Sequence, residues 1–195
     1  MDIPEMTFGQ WRVEKFFISE NDAKLSNMRT AMHAGQGGMF ISPGNYTRLM
    51  RGGVIVMSDT PAEINESISI INNAIGSVLI NGLGLGYVLE EVIRKPGIID
   101  ITVIEIDKDL IDNVGEYYLN KYINFPLEII NADALQWNAP PWRRYNAVWN
   151  DIWDYICIDN WPEYVKLHRK YSKRKADWVG SWQRSRLQYL MKREQ

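Results

Sequence analysis

The chain of 195 residues is 46 % hydrophobic and 24 % charged, a mixture that fits an ordinary globular domain with a real core and excludes a chain disordered throughout. Cys157 is the one cysteine, which excludes an intramolecular disulfide; with only His33 and His168 beside it there is no thiolate or imidazole cluster for zinc, and no metal site is expected. The net charge of −2 hides an asymmetry, because residues 166–195 hold ten lysines and arginines against two acids while residues 1–165 hold twelve against twenty-two.

The start, "MDIPEMTFGQW", carries acids instead of a basic, apolar leader, and no run of about 18 apolar residues follows, so a cytoplasmic protein without a membrane partner is expected. "WRVEKFFIS" at 11–19 reads as a strand. "ENDAKLSNMRTAMHA" at 20–34 reads as a short helix closed by the glycine-rich "GQGG" at 35–38. In "MFISPGNYTRLMRGGVIVMSD" two apolar runs flank Gly52-Gly53, glycines able to take the positive φ of a two-residue hairpin turn. Residues 1–60 are therefore expected to form a small N-terminal β-hairpin element with one short helix. Thr60-Pro61-Ala62-Glu63 spells a capping box with proline at the first helical position, opening a helix expected to run to about Asn73 and to end at Gly76.

From residue 77 strands alternate with helices. "SVLIN", "DITVIEI", "LEIINA", "YNAVWND" and "ADWVGSW" are strand-like, and "GYVLEEVIRK", "DKDLIDNVGEYYLNKY", "WPEYVKLHRKY" and the final stretch are helical. The alternation predicts an α/β domain over 61–195, a doubly wound, mostly parallel sheet that takes ligands beyond the carboxyl ends of its strands.

Gly82, Gly84 and Gly86 follow the first of these strands, where glycines turn the chain sharply and bring bare backbone and a helix start against a ligand. A phosphate-cradling loop needs Lys-Ser or Lys-Thr after the last glycine, and Tyr87-Val88 stands there. The dinucleotide spacing G-x-G-x-x-G needs a third glycine at 87 or 89, where the chain has Tyr and Leu.

The spacing G-x-G-x-G, with Glu105 ending the next strand and Asp133 in "NADAL" ending the third, resembles the class I S-adenosylmethionine-dependent methyltransferase fold, a Rossmann-like fold. "VLINGLGLGYVLEEVIRKPGIIDITVIEIDKDLI" is similar to the spermidine synthase branch, the aminopropyltransferases, in its glycine-rich turn and in Ile104-Glu105-Ile106-Asp107. The resemblance spans roughly residues 40–185. It departs from the family at "TPAEINE", where a tyrosine-centred substrate motif is usual, at "NGLGLG" in place of Gly-Gly-Asp-Gly, and in a C-terminus expected to be too short for the final antiparallel hairpin of the fold.

What the resemblance implies is S-adenosylmethionine, or its decarboxylated form, held by Asn81, Gly82, Leu83, Gly84, Gly86, Glu105, Asp133 and Ala134. Glu105 would take the ribose hydroxyls, and Asp133 the adenine amino group. Asp151 after the fourth strand is the expected general base, with Asp59, Trp153 and Asp154 on the substrate side. The expected activity is methyl or aminopropyl transfer to a small-molecule amine or another small nucleophile. Nucleic-acid methylation through the basic C-terminus, or a catalytically silent cofactor-binding module, stands as the alternative, and a homodimer is an expected assembly state. "NAPPW" at 138–142 echoes an Asn-Pro-Pro-aromatic motif of amino-methylating DNA methyltransferases, but it precedes the fourth strand and reads as a loop. Seven of the eight tryptophans lie between 137 and 182; for Trp149, Trp153 and Trp161 core packing is the leading expectation over a substrate wall.

Overall fold

The computed structural model describes residues 1–32, 40–172 and 174–193; His33 and the glycine-rich stretch at 35–38 lie outside them. The chain divides into two units, Met1–Glu66 and Ser67–Gln195.

The first unit is an antiparallel sheet in the order β1 (Met6–Phe8), β2 (Trp11–Ile18), β3 (Gly44–Arg51), β4 (Val54–Ser58), with α1 (Glu20–Met32) between β2 and β3. Alternation explains its one-sided burial: Trp11 and Val13 face inward, Arg12 outward, and Val13 sits opposite the buried Leu49. Gly52 and Gly53, at φ +55° and +84°, join β3 to β4 with Arg51 opposite Val54. β1 went unread in the sequence because three residues are too few to show a period.

The helix expected from Thr60 to Asn73 is two helices, α2 (Pro61–Glu66) and α3 (Ile68–Asn73), and the chain divides at the break. The capping box is also displaced. Glu63 reaches past Thr60 to accept from the backbone N–H of Ser58 (2.5 Å) and from its hydroxyl (2.7 Å). Burial pushes the Glu63 carboxyl up from its ordinary range, and these two hydrogen bonds oppose that push.

The second unit is a five-stranded sheet in the order β7 (Leu127–Asn131), β6 (Ile98–Glu105), β5 (Gly76–Asn81), β8 (Tyr145–Asn150), β9 (Ala176–Ser181), and every neighbouring pair is parallel. Helices cover it: α4 (Tyr87–Ile93) follows β5; α5 (Lys108–Leu110) runs through a π-helical turn at Ile111–Gly115 into α6 (Glu116–Lys121) after β6; α7 (Trp161–Lys170) follows β8 and α8 (Arg184–Arg193) follows β9. This is the doubly wound α/β architecture, and its strand order reverses between β5 and β8. β5 is nearly continuously buried because both faces of the sheet are covered. Leu79, Ile104, Val148, Tyr164, Leu167 and Leu187 share one core on one side. Between helices, the buried Glu90 of α4 holds Arg94 and, on α6, Lys121, each at 2.6 Å.

One crossover has no helix. Residues 132–144, from β7 to β8, are turns and extended chain, and "NAPPW" lies within them, ahead of β8 as its place in the sequence implied. The Lys175 ammonium holds the carbonyls of Pro140 (3.2 Å) and Pro141 (3.1 Å), while Trp142 is exposed. Among the described residues no helix is long and apolar enough to cross a membrane.

Candidate cofactor and transfer site

At the reversal point the chain leaves β5 through Gly82, whose φ of +97° suits glycine and whose N–H donates to the Ile104 carbonyl at 2.8 Å. The Asp151 N–H donates to the Asn81 carbonyl at 2.8 Å, so the turns after β5 and β8 lie against each other; a methyl group on Gly82 would overlap the Asp151 carbonyl oxygen. Gly86, at φ +78°, begins α4, and a side chain there would overlap the Tyr118 ring. Tyr118 is fully buried and donates to the Leu85 carbonyl at 3.1 Å. Gly115, at the end of the π-helical turn, lets that helix close on Leu83 and Ile129. The glycine turn is thus seated from below by the helix after β6.

Glu105, the last residue of β6, lies beside this turn and is 6 % exposed. Its Oε2 accepts from the Leu83 N–H and its Oε1 from the Asp107 N–H, both at 2.8 Å. Burial pushes its pKa up, and these backbone donors pull it back. The Ile106 N–H is a third backbone donor to this carboxylate, and of the roughly four acceptor sites of a carboxylate this leaves capacity for a ligand hydroxyl. Asp107 serves the helix instead, its Oδ1 capping α5 at the N–H groups of Asp109 (2.9 Å) and Leu110 (3.2 Å). Asp133, two residues past β7, uses Oδ1 to accept from the Leu135 N–H at 2.8 Å. Ala134 beside it is buried, and its carbonyl accepts from Lys170 at 2.9 Å.

A buried polar ladder, unread in the sequence, crosses the strand ends. Asn81, Asn150 and Ser181 are register partners on β5, β8 and β9. Asn81 Nδ2 donates to Asn150 Oδ1 (2.7 Å), and Asn150 Nδ2 donates to the Gly180 carbonyl (2.9 Å) and to Ser181 Oγ (3.2 Å). Ser181 Oγ meets His168 Nε2 at 2.9 Å. Its one sequence signal is a polar residue closing each apolar run, in "LIN", "VWN" and "VGS". Asn81, expected to touch the cofactor, instead spends its side-chain donor on Asn150 and its carbonyl on Asp151.

Burial, aided by the charge of Arg184, holds the His168 pKa down to about 4 from 6.5. Above the upper value the imidazole is neutral in both states. From there down to about 4 the unfolded chain takes up a proton that the native state refuses, so stability is lost as pH falls through that window. Thermal midpoints measured between those limits should fall with pH in wild type and less steeply in His168→Gln; parallel slopes would show that His168 does not contribute.

On the far side of the reversal point, Asp151 is half-buried, and its charge and that of Glu163 add to burial in raising the Tyr164 pKa. Asp154 is exposed. Trp153 belongs to the core, not to an open substrate wall: its ring stacks on Tyr164 at 3.6 Å between centroids and its Nε1 donates to Glu163 at 2.6 Å, so one face and its polar edge are taken. Trp149 is buried against Trp178, and Trp161 stacks on Tyr164 beneath Arg184. Asp59, placed by sequence on the substrate side, is buried in the first unit, with Oδ1 accepting from the Thr47 N–H (2.6 Å) and Oδ2 paired with the N-terminal ammonium (2.7 Å). Both of its oxygens therefore serve its own unit.

No family model matches the chain, and no curated protein matches it. Among solved structures it is similar to the 23S rRNA methyltransferase ErmE, at 20 % identity and a TM-score of 0.44, over 58 % of this chain and 42 % of that one. It is similar to the CcbJ methyltransferase from Streptomyces caelestis, at 15 % identity and 0.44, over 54 % and 42 %. A third is an S-adenosylmethionine-dependent methyltransferase from Clostridium acetobutylicum, at 13 % identity and 0.39, over 60 % and 44 %. The chain spans less than half the length of each of these three proteins.

Proposed function

We propose that the second unit binds S-adenosylmethionine, or its decarboxylated form, across the carboxyl ends of β5, β6 and β7, and transfers a methyl or aminopropyl group to an amine held beyond β8. The observation that carries this reading is Glu105. A buried carboxylate at the end of β6, pinned by a backbone N–H of the glycine turn and with acceptor capacity beyond its backbone donors, suits a ribose hydroxyl. The backbone of the glycine turn would meet the rest of the nucleoside. Asp133 Oδ2 accepts no hydrogen bond among the described residues and would meet the adenine amino group.

The bound sulfonium would supply an electrophilic carbon and leave as a thioether. The protein's part is then positioning and proton removal. Asp151, which meets the glycine turn through its backbone, would orient the acceptor nitrogen and take its proton as the new N–C bond forms, with exposed Asp154 the candidate to hold a second positive group on the acceptor.

Calorimetry with S-adenosylmethionine or methylthioadenosine should show binding that Glu105→Ala weakens by about 1.5–3 kcal/mol, the range for hydrogen bonds to a charged group. Unchanged affinity in a folded mutant would remove the ribose assignment. The transferred group is read from the by-product by mass spectrometry after incubation with mixed acceptors: S-adenosylhomocysteine marks methyl transfer, methylthioadenosine aminopropyl transfer. Binding without turnover on any acceptor would leave a catalytically silent cofactor module.

A second reading, nucleic acid as acceptor, is favoured by one observation. In this unit Arg94, Lys108, Lys121, Arg143 and Arg144 are paired with acids. Exposed Lys166, Arg169, Arg174, Lys192 and Arg193 pair with no carboxylate among the described residues. Unpaired cations on one stretch suit a phosphate backbone, and salt-dependent binding of an oligonucleotide, weakened by Lys166→Glu with Arg169→Glu, would support it.

A further inference from the structure

The crossover 132–144 joins two parallel strands without the helix that normally makes such a connection, and Asp133 is its second residue. Its first stretch is a single isolated turn. The Asp133 carbonyl accepts from the N–H groups of Gln136 (2.9 Å) and Trp137 (2.7 Å), while Asp133 Oδ1 accepts from the Leu135 N–H (2.8 Å). One turn standing alone has no following residues to satisfy its carbonyls, and on its own it is unstable. Lys170, from the last turn of α7, meets that need. Its ammonium donates to the carbonyls of Ala134 (2.9 Å), Leu135 (3.2 Å) and Trp137 (2.5 Å), one for each of its three protons. The turn is thus closed at its start by the Asp133 carboxylate and at its end by a cation from another element, and the carboxylate that starts it is the one proposed above to meet the adenine amino group.

We propose that Lys170 is a positioning residue for purine recognition: by holding the Ala134, Leu135 and Trp137 carbonyls it fixes the turn that aims Asp133 Oδ2, and so sets the preference of the site for a 6-amino purine without touching the ligand. This rests on the cofactor reading above. A 6-amino group donates to a carboxylate, whereas the inosine base puts an acceptor at position 6 and its donor at N1, so the preference reports whether Asp133 is aimed at position 6.

The test is calorimetry on the full chain with two probes, S-adenosylhomocysteine and S-inosylhomocysteine. Wild type should prefer the adenosyl compound by about tenfold or more, the scale of one hydrogen bond to a charged group. Lys170→Met should bring the two affinities within about threefold of each other. Lys170→Arg, which keeps a cation but offers a planar fork to three converging carbonyls, should fall between, and it serves if Lys170→Met does not fold. Glu105→Ala should weaken both probes alike and leave the ratio unchanged, which separates loss of aim from general weakening. A wild-type preference retained in Lys170→Met, or in Lys170→Arg where that is the variant that folds, would overturn the inference and leave the cofactor reading standing; no binding of either probe to wild type would overturn both.

Discussion

Alanine at Gly82 should destabilise the second unit by about 3 kcal/mol or more and abolish cofactor binding. Two costs combine. At φ +97° an L residue is strained, and the added methyl would overlap the Asp151 carbonyl oxygen, an atom of backbone that a rotamer change cannot move aside. Relief would require the turns after β5 and β8 to separate, which would break the bond from the Asp151 N–H to the Asn81 carbonyl and move the proposed base away from the glycine turn. Gly97→Ala isolates the first cost: its φ is +83°, but a methyl there meets only Ile75, at 3.9 Å. That variant should lose about 1 kcal/mol. Chemical denaturation of the two side by side decides the matter, since equal losses would mean that close approach at the reversal point is not what requires glycine.

Asp151→Asn is expected to lower turnover by about 10²-fold or more while leaving cofactor affinity nearly unchanged, the scale and pattern of a lost general base. The amide is nearly isosteric and can still accept a hydrogen bond from the acceptor nitrogen, but it cannot take the proton. Asp151 lies across the reversal point from Glu105 and Asp133, so the substitution should leave the proposed nucleoside contacts in place. Single-turnover rates with the acceptor identified by mass spectrometry, set beside calorimetric affinities for the cofactor, separate the two effects. A mutant that turns over at the wild-type rate would make Asp151 structural and pass the proton to another group.

Much of this arrangement was legible in the chain because it depends on local signals. The alternation of apolar strands with amphipathic helices after residue 77 dictates parallel strands with covered faces, since consecutive parallel strands need crossovers and helices bury one stripe each. Gly52-Gly53 marked its hairpin, and Gly82, Gly84 and Gly86 marked a turn at the end of the first central strand; short-range steric rules suffice for both. Glu105 was distinguishable as the end of a strand following such a turn.

What lay outside local reach was decided by contacts between segments distant in sequence. Ser67 interrupts a stretch whose capping box and periodicity read as one helix, and the chain divides into its two units at the same place. Asp59 reads like a substrate acid after a strand, yet Thr47 and the chain's first residue use both of its oxygens. Trp153 and Asn81 look like site residues by position and are drawn inward by Tyr164, Glu163 and Asn150, partners from 10 to 69 residues away. Lys170 is one cation in a basic run until folding carries α7 beside the helix-free crossover, where its ammonium meets three carbonyls. The sequence by itself determined the order of elements, the glycine turn and the acids that end the strands, all governed by backbone sterics and hydrophobic period. Only the tertiary structure decided which polar groups satisfy one another, because a buried donor or acceptor takes whatever partner the packing brings within about 3 Å, and sequence distance does not enter that choice.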